Sequence, residues 1–173
     1  MEKNNDRYVF IRNTKFIFKT NFSGNPENDK FGSRTRKGNI IIPDEEMARQ
    51  LAEEGFNVRT TTPKEGEEEG FVPKNFVSII LNFDSDVAKS RPPHVYMVSG
   101  DSDPRELDED TVAEIDNTYV LNVNVTLEKS YSKRYDRWLL YIKTMYVEQD
   151  MEDDPYASIY ANRGIGNMPE EDI

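Results

Sequence analysis

A mainly β fold is what this sequence predicts, on three observations. Several short segments alternate apolar and polar residues, one segment alone keeps a strong helical period, and clusters of Gly, Pro, Asn, Asp and Ser separate them. At 173 residues the chain is long enough for one domain with a real core and short for two of ordinary size. Its 36% apolar and 11% aromatic residues exclude disorder throughout, even beside 32% charged residues.

The first element is RYVFIRNTKFIFKTNF, which alternates from Lys15 onward. Phe16, Phe18, Thr20 and Phe22 fall on one side and Lys15, Ile17, Lys19 and Asn21 on the other, which predicts one long strand. SGNPENDKFGSRTRKG reads as a loop. After the apolar run Ile40 to Ile42, PDEEMARQLAEEG sets Met47, Ala48, Leu51 and Ala52 at helical spacing, with acids in its first turn and Gly55 as a stop. This is the clearest helix. FNVRTTT then predicts a strand, PKEGEEEG an exposed turn, and KNFVSIILNF a strand with Val77, Ile79, Leu81 and Phe83 on one face.

Behind Pro92 and Pro93, HVYMVS predicts a short buried strand, GDSDPREL a loop, and DEDTVAEID one or two helical turns started by Asp108. TYVLNVNVTL alternates, with Tyr119, Leu121, Val123, Val125 and Leu127 inward and Asn122, Asn124 and Thr126 outward. EKSYSKRYD is a turn and WLLYIKTMYV the last strand. Six or seven strands, an inserted α-helix and no repeats suit an OB-like β-barrel. The predicted division is a domain over residues 1–147 and a flexible acidic tail over 148–173.

Several chemistries find no support. The chain has no cysteine, which removes disulfides, thiolate zinc sites and cysteine nucleophiles. No apolar run approaches the roughly 18 residues of a membrane span, and the N-terminus lacks a secretory apolar region, so a cytoplasmic, membrane-free protein is expected. There is no phosphate-binding G-x-x-x-x-G-K-[ST] loop and no G-x-S-x-G elbow. The acidic run DSDPRELDEDTVAEID departs from the calcium-loop pattern at Arg105 and Glu106, and Asp108, Glu109 and Asp110 read as a cap with favourable first-turn charges. His94, the sole histidine, reads as structural. The expectation is no catalysis, no cofactor and no metal.

The net charge of −11 opposes a nucleic-acid binder until it is mapped. Residues 148–173 contribute −7 of it, and eight acids face one arginine in residues 101–116. Residues 1–38 hold nine Lys and Arg against four acids, and residues 129–143 hold five against one. Both basic stretches interleave cations with aromatics, the combination that tracks phosphates and stacks bases of a single strand. The candidate DNA-binding residues are Lys15, Phe18, Lys19, Lys30, Phe31, Arg34, Arg36 and Lys37 from the first stretch. From the second they are Tyr131, Lys133, Arg134, Tyr135, Arg137, Trp138, Tyr141 and Lys143. Phe16, Phe18, Phe22 and Trp138 have core packing as the competing role. The chain end, Pro169, Glu170, Glu171, Asp172 and Ile173, combines an acidic cluster, an apolar tip and the terminal carboxylate, a form a partner protein could hold or the basic groove could accept.

The ordered segments NFSGNPENDKFGSRTR, IIPDEEMARQLAEEGFNV, PPHVYMVS, LDEDTVAEIDN with NVNV, and YIKTMYV resemble a family of phage single-stranded DNA-binding proteins along most of residues 8–160. The connection EKSYSKRYDR is longer than the family's. The resemblance implies an OB fold, binding of single-stranded DNA in phage replication or recombination, and no catalysis. It also implies an acidic C-terminal region that modulates DNA access or recruits replication or recombination proteins. A homodimer is compatible with it. Two other readings compete: an acidic DNA mimic that blocks a host enzyme, and a metal-dependent nuclease built on Asp101, Asp103 and Asp108.

Overall fold

The structure, a computed structural model, describes residues 7–150. It is mainly β, with nine strands: β1 Tyr8–Thr14, β2 Phe16–Asn21, β3 Arg36–Ile42, β4 Arg59–Thr60, β5 Asn75–Leu81, β6 His94–Ser99, β7 Arg105–Leu107, β8 Val120–Ser132 and β9 Arg137–Gln149. Two α-helices interrupt them, α1 Glu45–Glu53 and α2 Asp86–Ser90, with 3₁₀ turns at Pro26–Asn28 and Val112–Asn117. The proposed tail boundary falls inside β9, and residues 151–173 lie outside the described residues.

The sheet runs β1-β8-β9-β5-β3-β2, with β4 on β5, β6 on β9 and β7 on β6. This path is open, where the sequence predicts an OB-like barrel: no ladder joins its two end strands. Those ends are nevertheless consecutive in the chain. The single long strand expected at residues 7–22 is broken at Lys15, so its first part pairs with β8 and its second with β3. Asn13 and Phe18 take left-handed backbone (φ 54° and 64°), beside ladder irregularities on each side of the break. The bend is tied down on β3, where Thr14 Oγ1 donates to the Ile41 carbonyl at 2.7 Å and Ile41 N donates to the Lys15 carbonyl at 3.1 Å.

Strand β9 is the spine. It holds β8 antiparallel along one edge from Ser132–Arg137 to Val120–Gln149. Along its other edge it has two parallel partners in succession: β5 at Ile80–Tyr141 alone, then β6 from His94–Thr144 to Ser99–Gln149. The inward faces of these strands make the core, with Ile11, Phe22, Ile40, Ile79, Leu81, Met97, Leu127, Leu140 and Met145 almost fully buried. Gly38 lets the Phe22 ring lie on β3, since a Cβ there would come within 2.9 Å of the ring tip.

Helix α1 forms as the sequence dictates. Asp44 caps it by accepting from Glu46 N and Met47 N, Glu45 and Glu46 sit at its positive end, and Ala48 and Leu51 face the core. Gly55, at φ 105°, ends it and turns Phe56 inward. That turn explains why FNVRTTT yields only the two-residue β4: Phe56 and Val58 pack on the core from outside the ladder. Helix α2, unexpected from the sequence, starts at Ser85, whose Oγ accepts from Ala88 N at 3.0 Å.

The inward set predicted for β8 holds at Val123, Val125 and Leu127 and fails at Tyr119 and Leu121, which are exposed. The ladder slips between Val120 and Asn122, so Val120 takes the inward position and the alternation upstream reverses. Asp108, expected to start a helix, makes a local turn with Asp110 and Thr111 ahead of the 3₁₀ segment. Within that segment Asp116, 8% exposed, accepts from Thr20 Oγ1, Phe22 N and Ser23 N at 2.7–3.0 Å and so clamps the end of β2.

Candidate nucleic-acid interface

Because β5 and β9 pair at one position only, their approach leaves a groove of about 930 Å³. Val77, Ser78 and Ile80 line one wall, the β9 run Arg137 to Tyr141 lines the other, and the loop before β3 contributes Phe31 and Ser33 to Thr35.

Three exposed aromatic rings line this groove. Phe31 is 88% exposed, Tyr135 57% and Trp138 38%. Exposing this much ring to water is unfavourable without a ligand. Phe31 rides on a loop gathered by Asp29, whose carboxylate accepts from Phe31 N and Ser33 N at 2.9 Å and pairs with Lys37 Nζ at 2.8 Å. The Lys37 ammonium, helped by these amides, pulls the Asp29 carboxyl down to about 2. Trp138 is wedged between Phe56 (ring centroids 5.8 Å apart) and Tyr131 (5.4 Å, edge-on), above Gly55. Tyr135, at the tip of the β8–β9 hairpin, has the guanidiniums of Arg134 and Arg137 at 5.2 Å and 5.4 Å from its ring centre.

Five cations, Arg34, Arg36, Lys37, Arg59 and Arg137, line the groove against a single acid, Asp84. Arg36 is fixed by donating to the Phe22 carbonyl at 2.9 Å and by lying 5.4 Å over Phe83. Arg59 sits 4.8 Å over Phe76 and donates to Asn39 Oδ1 and Ser78 Oγ. Positive charge lining a cleft concentrates anions there despite the acidic balance of the whole chain.

Of the residues singled out in the sequence, Phe31, Arg34, Arg36, Lys37, Tyr135, Arg137, Trp138 and Tyr141 thus come together on one surface. Lys30 (5.8 Å from the Phe31 ring), Tyr131 and Arg134 stand behind its rings, and Lys133 lies in the hairpin turn. The others go elsewhere. Lys15 is at the bend between β1 and β2, and Lys19 donates to the Asp116 carbonyl. Phe18, turned outward by its positive φ to 63% exposure, meets Phe76 edge-on at 5.2 Å. Lys143 lies beyond Tyr141 in a second recess. The terminal set Pro169, Glu170, Glu171, Asp172 and Ile173 lies outside the described residues. Arg59 and Phe56 are groove residues that the sequence reading passes over; Arg59 lacks neighbouring cations, so no local charge pattern points to it.

Three of the eight acids of residues 101–116 have other engagements: Glu106 pairs with His94, Glu114 with Arg105, and Asp116 holds β2. Among the described residues no three His, Asp or Glu side chains converge as a metal site, and no helix is long and apolar enough to cross a membrane. A groove lined by cations and exposed aromatic rings can hold a phosphate chain and stack unpaired bases on it.

Comparison with known proteins bears on the same point. No curated protein and no solved structure matches the chain. Over residues 3–172 it matches the family model described as "Putative phage ssDNA-binding domain". With nearly its whole length covered, the chain belongs to this family of phage single-stranded DNA-binding domains.

Proposed function

We propose that the protein binds single-stranded DNA without reading its sequence, along the groove between β5 and β9, in phage replication or recombination. The observation that carries this reading is three exposed aromatic rings and five cations on one groove with a single acid. Phosphates would lie on Arg34, Arg36, Arg59 and Arg137, and bases would stack on Phe31, Tyr135 and Trp138. Stacking on these rings does not distinguish one base from another, because every base offers a π face.

We read the scaffold as an OB-like, partly open barrel of five main strands: the bent β1–β2 segment, β3, β5, β8 and β9. The bond from Ile41 N to the Lys15 carbonyl and the parallel β5–β9 contact support this reading. The acidic segment 148–173 would compete with DNA for the groove, or present Pro169 to Ile173 to a replication or recombination partner, since its eight acids face one arginine.

Fluorescence anisotropy of labelled oligo-dT across a salt series tests the proposal. The four phosphate-binding arginines predict a slope of log K against log salt of about −3, at roughly −0.7 per phosphate contact on a single strand. Absence of salt-sensitive binding, by the full chain and by a chain ending before residue 151, would sink it.

A further inference from the structure

A second recess, of about 440 Å³, adjoins the groove and shares Asn82 and Tyr141 with it. It occupies the place where β9 changes parallel partners: β5 pairs last at Tyr141, β6 begins at Thr144, and the connection through α2 bridges the interval. Facing the gap are Ile142 and Lys143 from β9, and Ser85, Val87 and Arg91 from the connection.

The recess is cationic. Arg7, Arg91, Lys129 and Lys143 line it against one acid, Glu128. Arg7 pairs with Glu128 and Lys129 with Glu54, whereas Arg91 and Lys143 carry no ion pair among the described residues. An aromatic ring is at hand as well, for Tyr8 lies 5.6 Å from the Arg7 guanidinium and 5.8 Å from the Lys143 ammonium. Exposed Val87 and Pro92 offer apolar contact for sugars.

We infer that a single DNA strand leaving the main groove passes over Tyr141 into this recess, where Arg91 and Lys143 take its phosphates. The binding track then has two parts joined at Tyr141. This inference rests on the single-stranded DNA reading of the main groove. Continuity favours a nucleic-acid strand over an isolated anion, because the two cationic surfaces share lining residues and both set an aromatic beside the charges.

The experiment is an oligo-dT length series, from about 4 to about 30 nucleotides, a range that brackets the usual footprint of such domains. The full chain is compared with the pair Arg91→Gln and Lys143→Gln, and with the charge-keeping pair Arg91→Lys and Lys143→Arg. The Gln pair should bind the shortest oligonucleotides as the unaltered protein does, and lose about tenfold on the longest, with a salt slope shallower by about 1.4. The charge-keeping pair should behave as the unaltered protein, which also shows that these positions tolerate change. Unchanged affinity of the Gln pair at every length, or an equal loss at every length, overturns the two-part track and leaves the main groove standing. No binding by the unaltered protein overturns both.

Discussion

Phe31 has little to lose in the folded protein, being 88% exposed, and much to contribute to a complex. Phe31→Ala should leave the melting temperature unchanged while weakening single-stranded DNA binding by about tenfold, as a lost base stack does. Parallel melting and anisotropy measurements check both halves. Trp138 differs because it packs on Phe56 and Tyr131, so Trp138→Ala should lower affinity and melting temperature together. Asp29 gives the loop a pH dependence. Its carboxyl stays ionised in the folded loop down to about 2, held by Lys37 and the amides of Phe31 and Ser33, whereas an unfolded chain would protonate it near pH 4. The clamp therefore stabilises the fold fully above about pH 4, and that contribution disappears as pH falls through about 2. An NMR titration of the Asp29 carboxyl carbon should show the low midpoint, and a midpoint near 4 would show that the clamp is absent.

The connections between elements are where single changes should cost most. Asp116 ties the 3₁₀ segment to β2 through three hydrogen bonds. Asp116→Ala would leave Thr20 Oγ1 and two amides without that acceptor, and chemical denaturation should show a loss of about 2–4 kcal/mol. Gly55 serves both α1 and the groove. At φ 105° any other residue is strained, and a Cβ would stand 3.1 Å from Trp138 Cδ1. Gly55→Ala should destabilise the protein by about 1 kcal/mol or more and shift the tryptophan emission, since the indole must move. An unshifted spectrum would mean that the helix end gives way instead.

At the scale of the molecule, charge is divided between two cation-lined recesses and an acidic remainder, so on the proposed function removing residues 151–173 should strengthen DNA binding most at low salt. Anisotropy on the shortened chain checks this, and equal affinity at all salt concentrations would dissociate the tail from the groove. Much of this organisation is legible in the sequence. Helical spacing and Gly55 mark α1, the period-two runs give β5 and β8, the apolar run WLLYIKTMYV gives β9, and the interleaved cations and aromatics give eight groove residues. What stays hidden depends on long-range pairing. A bend at Lys15 follows from that segment having to meet both β8 and β3, and neither Phe18's outward turn nor the slip at Leu121 leaves a local signal. Arg59 joins the groove only because α1 brings it beside β5. One consequence concerns time rather than place. Beyond Lys129, whose amide still bonds the Arg7 carbonyl, β8 has lost β1, and β9 has not yet reached its contact with β5 at Tyr141. The hairpin carrying Tyr135, Arg137 and Trp138 is there a two-stranded ribbon, a unit of marginal stability by itself. Its amides should exchange with deuterium faster than those of the spine, and a bound oligonucleotide should slow them, making the ribbon the part of the protein that records how long DNA stays.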